Sequence, residues 1–171
     1  MTAPGAHAPR PSLLLVDGHA YAYRSFHAIR NLSSPSGHPT NAIFGFVKAL
    51  KTLESSLAPT HLAVVWDGGL AADRLALLPE YKAQRPPMPD ALEAQLDGMV
   101  SWLAASGIFS LCRDGVEADD AIASLASHAA GSGVDVVIAS TDKDFLQLVS
   151  PRVGIINPND KTGRIWSAED V

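Results

Sequence analysis

Asp114-Gly115-Val116-Glu117-Ala118-Asp119-Asp120 and, after a run of helical character, Val134-Asp135-Val136-Val137-Ile138-Ala139-Ser140-Thr141-Asp142-Lys143-Asp144 decide the fold. The second string is an apolar run of strand length followed within three residues by carboxylates. The first places three carboxylates where a helix begins. Glu117, Asp119, Asp120, Asp142 and Asp144 thus sit at segment junctions, not on the outward face of a helix. Two earlier acids repeat the arrangement. Ser12–Val16 is a short apolar run ended by Asp17-Gly18, and His61–Trp66 is another ended by Asp67-Gly68-Gly69. If these strands lie parallel, all seven carboxylates gather at one sheet edge, where they repel one another unless cations neutralise them.

Working outward, the pattern alternates. Strands are predicted at Ser12–Val16, His61–Trp66, Ile108–Leu111, Val134–Ala139 and Val153–Ile156, with Ile165–Trp166 as a sixth, edge strand. Helices are predicted at His19–Ile29 and from Asn41, as cap, to about Ser56, with Ile43, Phe46, Val47 and Leu50 on one face. Further helices follow at Asp90–Ser106 (Leu92, Leu96, Met99 and Leu103 inward), Glu117–Ala130 (Ile122, Leu125 and Ala129 inward, stopped by Gly131) and Lys143–Val149. This alternation predicts an α/β fold with a mostly parallel central sheet flanked by helices. In such sheets ligands bind beyond the carboxyl ends of the strands. The region from about 68 to 91 breaks the rhythm, with Tyr81, Lys82 and Arg85 among stiff prolines, and reads as an excursion above the strand ends.

Composition sets the bounds. The 171 residues, 47% hydrophobic and 18% charged, suit one globular domain. Met1–Pro11 is rich in Pro, Ala and Gly, lacks the apolar core of a signal peptide and is expected to be a disordered tail (1–11) on a cytoplasmic protein. No apolar run is long enough to span a bilayer. The single cysteine, Cys112, forms no internal disulfide and is expected to be a small core residue. Six histidines show no zinc-ligand spacing. No Walker loop and no serine nucleophile elbow occurs. The net charge of −5 argues mildly against nucleic acid. Setting aside the seven acids leaves 11 against 13 Lys and Arg, so the remaining surface is slightly basic.

Carboxylates suit Mg²⁺ or Mn²⁺ better than zinc. Two such ions about 4 Å apart activate water and stabilise the leaving oxygen in phosphodiester hydrolysis. Lys82, Arg85 and Arg24 are candidate phosphate contacts, and Tyr81 is a candidate stacking platform for an unpaired base. Each of these acids and cations also has an ordinary reading, as a turn former, helix cap or solvated charge. The joint pattern favours the metal site.

At these residues the chain resembles the 5′→3′ exonuclease domain of bacterial DNA polymerase I and the flap endonuclease family. The matching stretches are Leu-Leu-Val-Asp-Gly-His-Ala-Tyr-Ala-Tyr-Arg (14–24), Pro-Thr-Asn-Ala-Ile-Phe-Gly-Phe (39–46), Pro-Thr-His-Leu-Ala-Val-Val-Trp-Asp (59–67), Pro-Glu-Tyr-Lys-Ala-Gln-Arg-Pro-Pro-Met-Pro (79–89), Glu-Ala-Asp-Asp (117–120) and Thr-Asp-Lys-Asp-Phe-Leu-Gln-Leu-Val (141–149). The resemblance implies a PIN-like core at 12–171 that cleaves 5′-ended or flapped DNA with two or more Mg²⁺ or Mn²⁺ ions. It implies metal ligation by Asp17, Asp67, Glu117, Asp119 and Asp120 in one cluster and by Asp142 and Asp144 in a second. It further implies a helical arch (about 68–91) bearing Tyr81, Lys82 and Arg85. Asp17, Asp67, Asp119, Lys82 and Arg85 would carry catalysis; Arg24, Tyr81, Lys82 and Arg85 would hold DNA. Thr141 stands where glycine is common in the family, and Asp73 where an aromatic is common. A DNA-gripping C-terminal half and its further acids are expected beyond the sequence. Ser167 to Asp170 reads as a helix start without a body, so a piece of a longer protein is expected, a monomer with a DNA polymerase in cis or in trans. Alternatives are a catalytically incomplete metal- and DNA-binding fragment, a PIN-type ribonuclease and, least suited, a receiver-like domain.

Overall fold

The computed structural model describes residues 11–69, 80, 86–160 and 162–171. Tyr81, Lys82, Arg85 and Asp73 lie outside the described residues, as do most of the tail and most of the 68–91 excursion. Strands β1 (Ser12–Asp17), β2 (His61–Trp66), β3 (Phe109–Cys112), β4 (Asp135–Ala139), β5 (Val153–Ile156) and β6 (Ile165–Trp166) form one sheet in the order β3-β2-β1-β4-β5-β6. The first five are parallel and β6 runs antiparallel to β5. The apolar runs of β1 and β2 end in four buried positions each, as strands covered on both faces require. Leu14, Val16, Val64 and Trp66 point to one layer, with helices α1 (Gly18–Ala28), α2 (Asn41–Leu57) and α3 (Asp90–Ala105). Leu15, Ala63, Val65 and Ile138 point to the other, with α4 (Ala118–Gly131) and a 3₁₀-helix at Lys143–Leu148. The chain leaves β1 for β2 and β3 on one side and returns to β4 on the other, so the strand order reverses at β1. Such a reversal opens a crevice at the carboxyl edge.

The predicted strands match the observed ones to within a residue; the ends of the helices are where the reading is corrected. Asn41 does not cap α2. It is the first helical residue, and Thr40, in the cap position, makes no side-chain bond. Asn41 Nδ2 instead donates to the carbonyls of Phe26 and Ile29 (2.9 Å each), satisfying the last turn of α1. The start of α2 is served from α3, where buried Gln95 accepts through Oε1 from the amides of Ala42 (2.8 Å) and Ile43 (3.1 Å). Gln95 Nε2 donates to Asn41 Oδ1 (3.1 Å). Gly131 does not stop α4 but belongs to it; the left-handed residue is Gly133 (φ 86°), two positions later. The short helix expected at Lys143–Val149 is a 3₁₀-helix, Lys143–Leu148. Cys112 is exposed and not a core residue, because β3 is an edge strand with no fully buried position. No helix among the described residues is long and apolar enough to cross a membrane.

Gln95→Ala is expected to cost about 3 kcal/mol of unfolding free energy, since two buried amides and the Asn41 side chain lose their partner together. Chemical denaturation checks this; a loss below about 0.5 kcal/mol, the scale of an ordinary surface change, would refute the role given to Gln95.

Candidate functional site

Each acidic candidate follows the carboxyl end of a parallel strand, so the topology alone carries them to one edge. Asp17 ends β1, Asp67 follows β2, Glu117, Asp119 and Asp120 open α4 after β3, and Asp142 and Asp144 follow β4. Their environments differ. Asp17 is only 7% exposed and Glu117 1%, whereas the Asp67 side chain is 42% exposed. Asp142 and Asp119 are half-buried, and Asp120 and Asp144 are exposed.

Asp17 is held from two sides. Its Oδ1 accepts from the Ala20 amide (3.0 Å), which caps α1, and its Oδ2 accepts from the Ser140 hydroxyl (2.8 Å). Burial pushes its carboxyl above the usual range. The two hydrogen bonds pull the other way, the charge of Asp67 adds to the rise and His19 opposes it. This is a carboxylate kept out of water and next to a second one, the condition a hard cation relieves.

Asp67 is fixed by a strap between β2 and the β3–α4 connection. The Gly68 amide donates to the Val116 carbonyl (3.0 Å), and the Gly115 amide to the Gly68 carbonyl (2.8 Å). A Cβ on Gly68 would lie 1.8 Å from the Arg113 carbonyl oxygen, so only glycine fits there. Asp67 Oδ1 accepts from the Ala118 amide (2.8 Å) and thereby caps α4. Glu117 holds the cap position by sequence but makes no capping bond. His19 Nδ1 lies 3.2 Å from the Asp67 amide nitrogen and 3.6 Å from Asp67 Oδ2, so the ring rests against this aspartate. Its ring stands edge-on to Trp66, with centroids 5.3 Å apart.

In the second cluster Asp142 caps the 3₁₀-helix, accepting from the Asp144 amide (2.8 Å), and its own amide donates to Ser140 Oγ (3.1 Å). Ser140 therefore touches both clusters. Arg24 reaches from α1 to the β5–β6 connection, where its Nε donates to Asn159 Oδ1 (3.1 Å). Sequence reasoning missed Ser140 and His19. The available signals were a hydroxyl directly after an apolar strand and a histidine two residues past the first acid. Among the described residues no group of three or more His, Cys, Asp or Glu side chains forms a ready-made ion cage. The donor set itself, carboxylates around two buried members, Asp17 and Glu117, fits a hard divalent cation.

The family of 5′-3′ exonuclease N-terminal, resolvase-like domains matches residues 12–171. DNA polymerase I of Mycobacterium tuberculosis (strain H37Rv) is 40% identical over 159 residues, covering 92% of this chain and 18% of that protein. A 5′-3′ exonuclease of Aquifex aeolicus is 44% identical over 151 residues, covering 88% of this chain and 52% of that protein. The chain thus spans about half, or less, of these relatives. A bacteriophage T5 flap endonuclease, in a complex with DNA and metal ions, shares the fold with a TM-score of 0.67 at 24% identity, covering 93% of this chain and 58% of that one.

The raised pKa of Asp17 has a consequence for stability. Its neutral form is favoured by folding, so the associated stability is present below the unfolded value and is lost as pH rises through the folded one. Asp17→Asn is therefore expected to raise the thermal midpoint at neutral pH, with the gain vanishing at a pH below the ordinary carboxylate value. Calorimetry at both pH values checks this; a lower midpoint at neutral pH would contradict it.

Proposed function

The chain belongs to the family of 5′-3′ exonuclease N-terminal, resolvase-like domains, and on that premise we propose that it is the nuclease portion of a divalent-metal-dependent 5′→3′ exonuclease or flap endonuclease. Its substrate would be DNA with a 5′ end or flap, met in the cytoplasm during replication and repair. The reading rests on one observation above the others: a buried carboxylate, Asp17, held by two hydrogen bonds at the point where the strand order reverses and beside the charge of Asp67.

Asp17, Asp67, Glu117, Asp119 and Asp120 would hold or orient one Mg²⁺ or Mn²⁺ ion and its waters, and Asp142 and Asp144 a second. When bound, the ions supply an activated water and charge stabilisation at the leaving oxygen of a phosphodiester. The chain's own part is positioning. The strap at Gly68 fixes Asp67 against the start of α4, and Ala20 and Ser140 fix Asp17. Lys82 would stabilise charge on the scissile phosphate, Arg85 and Arg24 would steer the strand, and Tyr81 would stack on an unpaired base. The T5 neighbour with DNA and metal ions supports this assignment of partners. The polymerase relatives, which carry such a domain within a longer chain, support a DNA polymerase as companion. We take the working unit to be a monomer. A second reading is a metal- and DNA-binding unit that does not cut alone.

The test is cleavage of a labelled 5′-flap DNA at low salt, with Mn²⁺, with EDTA, and with Asp119→Ala. Metal-dependent cutting that falls by about 100-fold or more in the variant is expected, because loss of a ligand exceeds the 10–100-fold typical of its supporting groups. Cutting in EDTA, or parental activity in Asp119→Ala, overturns the proposal. Faster cutting of the matching RNA flap would point to a PIN-type ribonuclease. A folded chain that binds Mn²⁺ without cutting would establish the second reading.

A further inference from the structure

Ser140 is the residue directly after β4, and only 1% of it is exposed. Val16 of β1 pairs with Ala139 of β4, so the next residue on each strand, Asp17 and Ser140, face each other across the point where the strand order reverses. A serine hydroxyl has one proton to give and lone pairs to receive with. Here the proton goes to Asp17 Oδ2 (2.8 Å), and a lone pair receives the Asp142 amide (3.1 Å). The Asp142 carboxylate in turn accepts from the Asp144 amide (2.8 Å), which shapes the 142–144 turn. One hydroxyl thus orients the buried carboxylate of the first acidic cluster and anchors the backbone of the second. Packing alone does not ask for it, since an alanine would fill nearly the same buried space.

We propose that Ser140 is a positioning residue that holds Asp17 and the Asp142–Asp144 turn in one fixed relation, so that the two acidic clusters receive divalent cations as a single unit. This rests on the metal-dependent reading given above. Groups that orient metal ligands through hydrogen bonds typically change affinity by 10–100-fold when removed. The proposal therefore concerns metal affinity, separately from turnover.

Mn²⁺ binding to the full 171-residue chain, followed by electron paramagnetic resonance of the free ion, tests it alongside the thermal midpoint of each variant. Ser140→Ala is expected to weaken Mn²⁺ binding by about tenfold or more, with a lowered midpoint because a buried carboxylate and an amide lose a partner but a chain still folded at the temperature of the titration. Ser140→Thr, which keeps the hydroxyl, should restore binding. Ser140→Cys, nearly the same size with a weak donor, should bind nearly as poorly as Ser140→Ala and serves if the alanine variant does not fold. In an Asp17→Asn background, Ser140→Ala should have a clearly smaller effect, because the two residues act together. Parental Mn²⁺ affinity in Ser140→Ala, or in Ser140→Cys should the alanine variant not fold, overturns the proposal. So does a loss of equal size with and without the Asp17 carboxylate. No Mn²⁺ binding by the parent chain overturns the metal-dependent reading itself, and this proposal with it.

Discussion

A carboxylate held out of water at the end of a central strand is the constraint on which the rest of this structure depends. Asp17 sits where burial opposes its charge and where Asp67 opposes it further. Such a group is tolerated only if its surroundings are arranged for it. The arrangement is specific: the first turn of α1 supplies one donor and the residue after β4 supplies the other. Both donors come from elements that meet because β1 pairs with β4. The strand order that creates the crevice thus also provides the groups that hold a charge in it.

The same logic extends along the edge. Asp67 is exposed, yet it is tied to the start of α4 through the Ala118 amide, and to the chain before α4 through the backbone of Gly68. Any side chain at 68 would drive the 113–116 segment away, and Glu117 would go with it. The glycine after the second aspartate is therefore a site residue without a functional group. It lets two loops from different strands share one backbone ladder, and so carries acids from β2 and from α4 to one place.

Much of this was legible in the sequence, and the reason is physical. Strands buried on both faces have to be short, apolar and uninterrupted, and His61–Trp66 and Val153–Ile156 were readable to the residue. The acids that follow β1, β2 and β4 stood out because a carboxylate after such a run lands at the carboxyl edge whatever the details. Features set by a partner distant in sequence were not legible. Asn41 has every local attribute of a helix cap, but Gln95, more than fifty positions away, takes that task and frees Asn41 to serve α1. Cys112 lies in an apolar stretch, but only the sheet order reveals that its strand is an edge. Ser140 and His19 were not singled out, His19 even within the matching 14–24 stretch, since their meaning is the company they keep across the strand reversal and beside β2.

Arg24 shows where motif and geometry divide the work. By sequence it follows the first aspartate within two turns of a helix, which makes it a natural phosphate contact. In the fold its Nε reaches Asn159, on the connection between β5 and β6. That connection follows the strand next to β4 in the sheet, so α1 is tied twice to the β4–β5 side of the reversal: by Asp17 to Ser140 at its start, and by Arg24 to Asn159 further along. A planar guanidinium has five donors and this bond uses one. Holding the connection and contacting a phosphate are compatible tasks for one side chain. The helix that begins at the buried carboxylate therefore fixes the relation between the first acidic cluster and the segments beyond the second.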